Sequence, residues 1–235
     1  VSFVGTCTIG EDHIDKAYLA ERGIAFSSAP GCNANSVGQY IVAALLVLAE
    51  RYGPALSDVS LGIVGVGNVG SRVRKKAEAL GIRCVLNDPP LAEQTGDAVY
   101  RPLDEIFDCD IVTLHVPLEK GGPHPTWHMV DAQFIERMKA GAFLINSARG
   151  AVVDTSAVKA ALADGHLRGA VFDVWEGEPN IDTELAAAVD IATPHIAGYS
   201  FDGKVNGTRQ VYEAACQWRG IEPSWDPAPL LPAPE

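Results

Sequence analysis

Short apolar runs alternate with helical patterns through most of the chain. Runs of three to six mostly apolar residues occur at 61–66, 84–87, 111–115, 143–146, 170–174 and 191–193. The intervening segments 70–80, 131–139 and 155–164 space their apolar residues as one face of a helix requires. Continuous apolar strands that alternate with helices are typical of a parallel sheet covered on both faces. The pattern therefore predicts an α/β fold with a doubly wound parallel sheet over 58–196.

Two flanking segments predict a second, smaller domain. Residues 1–6 have a strand pattern, and 207–218 space their apolar residues as a helix does. Between 1–6 and the sheet, Asn35 and Ser36 predict the N-cap of a long helix that ends near Tyr52. We therefore expect a discontinuous domain from 1–35 and 197–235, and a crossing helix with its linker at 36–57. Because 1–6 already reads as a strand inside a domain, we expect this sequence to be part of a longer protein.

Composition narrows the class of protein. Apolar residues make up 47% and charged residues 20% of the 235 positions, which is typical of a globular protein. The apolar run 41–49 is too short to span a bilayer, so we expect no membrane partner. The formal net charge of −12 argues against nucleic-acid binding, because a phosphate-binding surface needs clustered Lys and Arg. A small anionic substrate is compatible with this charge, since helix N-termini and a few basic groups can hold it.

The spacing of cysteine and histidine residues does not favour a metal site. The five cysteines are Cys7, Cys32, Cys84, Cys109 and Cys216. Their odd number and wide spacing favour reduced thiols in a cytoplasmic protein over a disulfide framework or a zinc site. His124 and His128 have a helical metal-ligand spacing, but prolines on both sides of His124 predict a loop. We therefore expect a cytoplasmic protein without a metal.

A glycine-rich turn follows the first predicted strand of the sheet. Gly65, Gly67 and Gly70 have the G-x-G-x-x-G spacing at a strand-to-helix junction. The first glycine permits a tight turn, the second lets the backbone approach a pyrophosphate, and the third allows close packing of helix on strand. The amides of the helix N-terminus, around Asn68 and Val69, then hold the phosphates. This context predicts a Rossmann-type dinucleotide site.

Asp88 completes the dinucleotide fingerprint. It ends the next predicted strand, roughly twenty residues after the first glycine, where a carboxylate binds the ribose hydroxyls. A carboxylate there repels a 2′-phosphate, so NAD is favoured over NADP. The alternative is that Asp88 only forms a strand-end turn with Pro89 and Pro90.

Three charged or titratable residues follow predicted strands, at the edge where open parallel sheets bind ligands. They are Arg149, Glu178 and His195. Oxidation of a 2-hydroxy acid needs a base for the hydroxyl proton, and His195 is a candidate for that role. Glu178 would pair with the other imidazole nitrogen, and Arg149 would grip the substrate carboxylate and polarise the C2 oxygen. Each also has an ordinary interpretation as a surface ion pair, a loop histidine or a solvated carboxylate, but their common placement favours catalysis.

These segments resemble the D-isomer-specific 2-hydroxy acid dehydrogenases. The family's Arg–Glu–His set maps onto Arg149, Glu178 and His195, and the resemblance runs along essentially the whole chain. Residues 29–34, 88–90, 173–179, 196–199 and 230–235 are similar to the members that oxidise 4-phospho-D-erythronate in vitamin B6 biosynthesis. The resemblance implies a Rossmann domain plus an incomplete, discontinuous substrate domain of flavodoxin-like α/β type.

The resemblance also implies a set of ligand contacts. With the glycine motif, the implied cofactor-binding residues for NAD are Gly65, Gly67, Asn68, Val69, Gly70, Asp88, Val116, Ala148, Arg149, Asp173 and Gly198. Thr8 and Tyr199 are implied at a small phosphorylated 2-hydroxy acid substrate. Tyr199 has a hydroxyl suited to a polyol phosphate, although a packed loop aromatic explains it equally well, and Lys204 is a candidate for the phosphate. The full-length enzyme is implied to be a homodimer.

Three alternatives stay open at this point. One is another enzyme of the same family, acting on 3-phosphoglycerate, glycerate or a glyoxylate-like acid. Another is a non-catalytic NAD-sensing protein, against which the presence of Arg149, Glu178 and His195 argues. The third is that these 235 residues are only a folding or cofactor-binding fragment of a larger enzyme.

Overall fold

A computed structural model describes residues 1–53 and 55–230, and the chain divides into two compact units. The smaller unit contains Val1–Ser36 and the chain from Gly198 onward, and the larger unit is Val37–Ala197. Residues 231–235, which contribute to the family resemblance, lie outside the described residues. None of the helices in these described ranges is long and apolar enough to cross a membrane.

The strands and helices alternate along the chain, as the apolar pattern predicts. The strands are β1 (Phe3–Gly5), β2 (Ala25–Ser27), β3 (Ser60–Val64), β4 (Arg83–Asn87), β5 (Ile111–Leu114), β6 (Ala142–Asn146), β7 (Leu167–Phe172) and β8 (Ile191–Ala192). The helices are α1 (Lys16–Glu21), α2 (Ala34–Tyr52), α3 (Asn68–Ala79), α4 (Pro89–Thr95), α5 (Leu103–Ile106), α6 (Ala132–Arg137), α7 (Thr155–Asp164), α8 (Thr183–Ala188) and α9 (Phe201–Arg219).

The larger unit is built on a parallel sheet with the strand order β4-β3-β5-β6-β7-β8. The chain moves outward from β3 to β4 and then returns to the other side of β3 with β5. This reversal is the topological switch point, where open α/β sheets bind ligands at the carboxyl ends of their strands. The α/β fold with a Rossmann-type parallel sheet is confirmed.

Apolar side chains cover both faces of the sheet. On one face, residues such as Leu61 and Ile63 pack with Ile41 and Leu45 of α2 and with Val73 of α3. On the other face, Val112, Leu144 and Ala170 pack with residues of α5, α6, α7 and α8. Burial of both faces explains why β3, β5 and β6 are continuous apolar runs rather than alternating ones.

The smaller unit contains a two-stranded parallel sheet, β1 with β2. Helix α9 packs on it closely, since a Cβ at Gly5 would overlap the side chain of Val211. Phe3 and Trp218 add a ring contact with centroids 5.6 Å apart. These contacts join the two ends of the described chain into one unit.

Two helix starts differ from the sequence prediction. Helix α2 begins at Ala34, whose N–H donates to Gly31 O at 3.1 Å, so the prediction of an N-cap at Asn35 or Ser36 is wrong. Helix α9 begins at Phe201 rather than near Gly207, because the Ser200 hydroxyl caps it by accepting from the Gly203 N–H. The glycines in this first part of α9 concealed its helical pattern.

Candidate active site

The glycine loop lies at the switch point, between the ends of β3 and β5. Gly65 has a φ of +86°, and a Cβ there would lie 2.7 Å from the carbonyl oxygen of His115 and 2.9 Å from Val116. A Cβ at Gly70 would overlap the carbonyl of Gly65, so α3 starts directly against the loop. Gly67, by contrast, is exposed with open space where its Cβ would be. These three environments match the three tasks that the motif requires.

The N-terminus of α3 fits an anionic group. Six of the described helices begin with a side-chain oxygen that accepts from a first-turn amide, supplied by Asp15, Asp88, Asp131, Asp154, Asp182 and Ser200. Helix α3 has Gly67 at this position and no side-chain cap, with Asn68 exposed and Val69 partly exposed. Uncapped amides at the positive end of a helix dipole bind phosphate groups well.

Asp88 connects the glycine loop to the next strand. Its Oδ2 accepts from the Val66 N–H at 2.7 Å, and its Oδ1 accepts from the Leu91 N–H at 3.0 Å as the N-cap of α4. The carboxylate therefore has the structural role considered as an alternative, and it also borders the loop. Contact with a ribose stays a prediction.

Glu178 and His195 form a hydrogen-bonded pair. His195 Nδ1 lies 2.9 Å from Glu178 Oε2, and the other oxygen of Glu178 accepts from the Trp175 N–H at 2.7 Å. Since a carboxylate only accepts, the imidazole donates through Nδ1, and in the neutral ring this leaves a lone pair on Nε2. The side chain of His195 is 49% exposed and that of Glu178 is 35% exposed, so the imidazole is accessible to a small molecule. The structure thus joins two of the three residues predicted to be catalytic.

Arg149 lies on a segment that touches the turn carrying Glu178. It follows β6, is partly exposed, and donates from Nη1 to the carbonyl of Ala148 at 2.7 Å. The next residue, Gly150, packs so tightly that a Cβ would overlap the peptide between Trp175 and Glu176. Gly150 therefore holds the segment that follows Arg149 against the turn that carries Glu178.

Asp173 is an internal acceptor for the turn around His195. Its side chain accepts from Thr193 Oγ1 at 2.6 Å, from the Ile196 N–H at 2.8 Å and from the Ala197 N–H at 2.9 Å. The residue is 1% exposed. These bonds position His195, whose φ is +57°. The sequence pattern missed this role, and a direct cofactor contact by Asp173 stays a prediction.

The predicted substrate residues belong to the smaller unit. Thr8 Oγ1 donates to Gly10 O at 2.9 Å and lies 2.7 Å from Thr6 Oγ1. Tyr199 is 70% exposed, so the interpretation as a packed loop aromatic is wrong. Lys204 Nζ lies 3.7 Å from the centroid of the Tyr199 ring, and its hydrogen bond and charge lower the pKa of Tyr199.

Gly198 also belongs to the smaller unit. A Cβ there would overlap the side-chain amide of Asn33, so this glycine permits close packing within that unit. The cofactor contact implied for Gly198 stays a prediction.

His115 is a further residue of this region, which the sequence pattern does not mark as a site residue. It follows β5 at the switch point, with Nε2 3.0 Å from Thr113 Oγ1 and Nδ1 3.5 Å from Ser147 Oγ. Burial lowers the pKa of His115 to about 3, so the ring is neutral. The signal that identified Arg149, a polar residue directly after a buried strand, applies equally to His115. The apolar run 111–115 includes His115 in the predicted strand itself and therefore hides this signal.

Comparison with known proteins identifies the family. Residues 46–197, more than half of the chain, match the NAD binding domain of the D-isomer specific 2-hydroxyacid dehydrogenases. The chain belongs to this dehydrogenase family. The glycine loop and α3 lie within the matched region, and the prediction of NAD as the cofactor is confirmed.

Individual members of this dehydrogenase family match over the whole chain. Erythronate-4-phosphate dehydrogenases from Salmonella arizonae and Escherichia coli O9:H4 are 52% and 51% identical over 236 residues, and the alignments cover 100% of this chain. The chain spans 62% of the length of each of these relatives. The crystal structure of an Aquifex aeolicus D-lactate dehydrogenase, complexed with NAD and lactic acid, has a TM-score of 0.79 at 29% identity. That match covers 95% of this chain and 81% of the other.

Proposed function

We propose that this protein catalyses the NAD-dependent oxidation of 4-phospho-D-erythronate to 3-hydroxy-2-oxo-4-phosphooxybutanoate, in vitamin B6 biosynthesis. The reaction class is supported by one observation above all, the Glu178–His195 pair with an exposed imidazole beside the Arg149 segment. The choice of substrate is supported by relatives named erythronate-4-phosphate dehydrogenase at 52% and 51% identity.

The proposed roles follow from the chemistry of the side chains. Nε2 of His195 accepts the C2 hydroxyl proton, because Nδ1 is committed to Glu178. The guanidinium of Arg149 binds the substrate carboxylate with its planar fork and withdraws charge from the C2 oxygen. NAD, when bound at the glycine loop and α3, supplies the hydride acceptor. The products are the 2-oxo acid, NADH and one proton, so atoms and electrons balance.

The substrate phosphate needs donors of its own. We propose that Tyr199 and Lys204 supply them, since the ammonium group and the phenol are adjacent and the ring is exposed. Thr8 is proposed as a further substrate contact. The Tyr199→Phe variant should raise the KM for 4-phospho-D-erythronate more than it lowers kcat, and an unchanged KM would contradict a direct contact.

The substrate assignment is tested by following NADH formation with a panel of acids. The panel contains 4-phospho-D-erythronate, 3-phosphoglycerate, D-glycerate and D-lactate. We expect kcat/KM for 4-phospho-D-erythronate to exceed that for 3-phosphoglycerate by at least about tenfold, since the carbon chains of the two acids differ by one CHOH group. An equal or greater value for 3-phosphoglycerate would refute the substrate. Normal NAD binding without turnover of any acid would favour an NAD-sensing protein if the full-length protein behaves in this way, and a cofactor-binding fragment if only these 235 residues do. His195→Gln should lower kcat about 10²–10⁴-fold without loss of NAD binding.

We also propose that the full-length protein is a cytoplasmic homodimer. The described cysteines are all free thiols, as expected for a reducing compartment. The dimer follows from the family resemblance, and light scattering of the purified protein tests it.

A further inference from the structure

Two histidines share an uncommon backbone conformation. Among the described residues other than glycine, only His128 and His195 have positive φ, at +49° and +57°. Both imidazoles bind carboxylates of the same turn, 175–178. His195 pairs with Glu178 at 2.9 Å, and His128 Nε2 lies 2.5 Å from Glu176 Oε1. Strained backbone of this kind persists only where surrounding contacts hold it, and it concentrates at functional sites.

Glu176 is anchored through both oxygens. Oε1 accepts from His128, and Oε2 accepts from Thr155 Oγ1 at 3.0 Å at the start of α7. The His128 ring also stacks on Trp127, with centroids 3.9 Å apart and planes inclined by 11°. With side chains 24% and 33% exposed, the His128–Glu176 pair is partly shielded from water, which strengthens its hydrogen bond.

The same pair lies beside the segment that follows Arg149. The His128 N–H donates to Ala151 O at 2.8 Å, and the Val130 N–H donates to Val152 O at 3.0 Å. Gly150 meanwhile packs on the peptide that joins Trp175 to Glu176. Segments 128–130, 149–153 and 175–178 therefore form one connected cluster, which we name the brace.

We propose that His128 and Glu176 are positioning residues for the oxidation proposed above. Glu176 holds the turn 175–178, and this turn places Glu178 against His195. The backbone of the brace keeps the segment that carries Arg149 beside the same turn. Neither residue takes part in proton transfer, because the Nε2 of His128 is committed to Glu176 and both Glu176 oxygens have partners. Release of the brace would shift Glu178 and Arg149 together, and small misplacements of catalytic groups reduce turnover strongly.

The kinetic test uses His128→Ala, Glu176→Ala and the double variant. We expect kcat to fall about ten- to hundredfold in each single variant, with NAD affinity within about twofold of the parent. The double variant should resemble the single ones, because the two residues act as one unit. His128→Gln, which keeps an N–H donor for Glu176, should recover most of the activity. Unchanged kcat in both single variants, or additive losses in the double variant, would overturn the proposal.

His166→Ala is the matched control. This histidine also uses Nε2, but it lies 2.7 Å from Ile135 O and 3.2 Å from Met138 O, outside the brace. We expect His166→Ala to lower stability while kcat stays near that of the parent. An equal loss of kcat in the control would show that any histidine contact in this unit has the same effect, and would overturn the specific role of the brace.

A second readout does not depend on the substrate. The ring ¹⁵N signals of His195 in the protein without added ligand report which nitrogen carries the proton. His128→Ala and Glu176→Ala should shift these signals away from the Nδ1-protonated form, whereas His166→Ala should not. Unshifted signals would overturn the brace even if the enzyme is active. Shifted signals in a protein that oxidises no acid would support the brace and refute only the proposed function.

Discussion

Replacing Asp173 removes the acceptor that holds the turn around His195. Its carboxylate receives three hydrogen bonds, from the hydroxyl of Thr193 and the amides of Ile196 and Ala197. The residue is 1% exposed, so water does not substitute for the lost oxygens. We predict that Asp173→Ala is strongly destabilising and that Asp173→Asn has an intermediate effect.

The magnitude follows from the fate of each donor. The Thr193 hydroxyl keeps Tyr40 as a partner at 2.7 Å, and the Ile196 amide belongs to a residue that is 46% exposed and can be hydrated. The Ala197 amide belongs to a residue only 4% exposed. Hydrogen bonds to charged groups contribute about 1.5–3 kcal/mol, and a buried unpaired donor costs about 1–3 kcal/mol. We therefore expect a loss of about 3–5 kcal/mol in unfolding free energy for Asp173→Ala.

The asparagine variant separates the contributions of the two oxygens. Asn keeps one oxygen for the donors at Oδ1 but directs its NH₂ group at the Ala197 N–H. We expect a loss of about 1–3 kcal/mol, since one buried donor then faces another donor. Urea denaturation followed by tryptophan fluorescence measures both variants, with an unchanged slope as the sign of an intact fold. Asp164→Asn, at an exposed carboxylate that accepts only from the His166 N–H at 2.9 Å in the described contacts, should stay within about 0.5 kcal/mol of the parent.

An unfolding free energy of Asp173→Ala within about 0.5 kcal/mol of the parent value would show that these three hydrogen bonds do not stabilise the fold. NAD titration of the folded Asp173→Asn variant addresses the separate prediction of a cofactor contact. An unchanged Kd would contradict that contact without affecting the stability argument.

Three further predictions concern the larger unit. Gly70→Ala should destabilise the protein by more than about 1 kcal/mol, because its Cβ would overlap the Gly65 carbonyl. Gly67→Ala has open space for its Cβ, so it should leave the melting temperature nearly unchanged and weaken NAD binding in calorimetry. Asp88→Asn should lower stability by about 1 kcal/mol, because its single oxygen cannot accept from both the Val66 and the Leu91 amides. The variant should also reduce the preference for NAD over NADP in paired titrations, and an unchanged ratio would contradict the ribose contact. Burial lowers the pKa of His115 to about 3, well below its value in the unfolded chain, so the unfolded state binds a proton at higher pH than the folded state does. The unfolding free energy should therefore fall as the pH drops from about 6.5 towards 3, by up to about 1.4 kcal/mol per pH unit. His115→Asn should show a smaller loss between pH 7 and pH 5 in urea titrations, and an equal loss would refute this origin.

Much of the larger unit could be predicted from local pattern. Continuous apolar strands report burial on both faces, and a parallel sheet collects the carboxyl ends of its strands at one edge. This geometry is why Glu178, after β7, and His195, after β8, could be expected to meet although they are 17 positions apart. The glycine motif could be interpreted for a similar reason, since Gly65, Gly67 and Gly70 each answer a separate steric demand.

Helix and strand boundaries were less predictable. Helix α9 begins at Phe201 because Ser200 caps it, while Gly203 and Gly207 lie inside it where a Cβ would approach Asn33 and Cys7. Exposed Arg168 and Gly169 interrupt the apolar run, so the pattern predicts that β7 begins at 170. The strand begins at Leu167 because it pairs with β6 from Ala142 onward. In each case a tertiary contact decided a position that propensity alone left open.

The sequence by itself determined the α/β class, the dinucleotide loop and the residues at the strand ends, because periodicity and glycine spacing are local properties of the chain. Only the tertiary structure decided which partners those residues have. Asp173 serves the turn around His195, and His128 binds Glu176 across 48 positions of sequence. Hydrogen-bond partners so far apart are selected by how the packed strands and loops bring their ends together, and no local pattern encodes that selection.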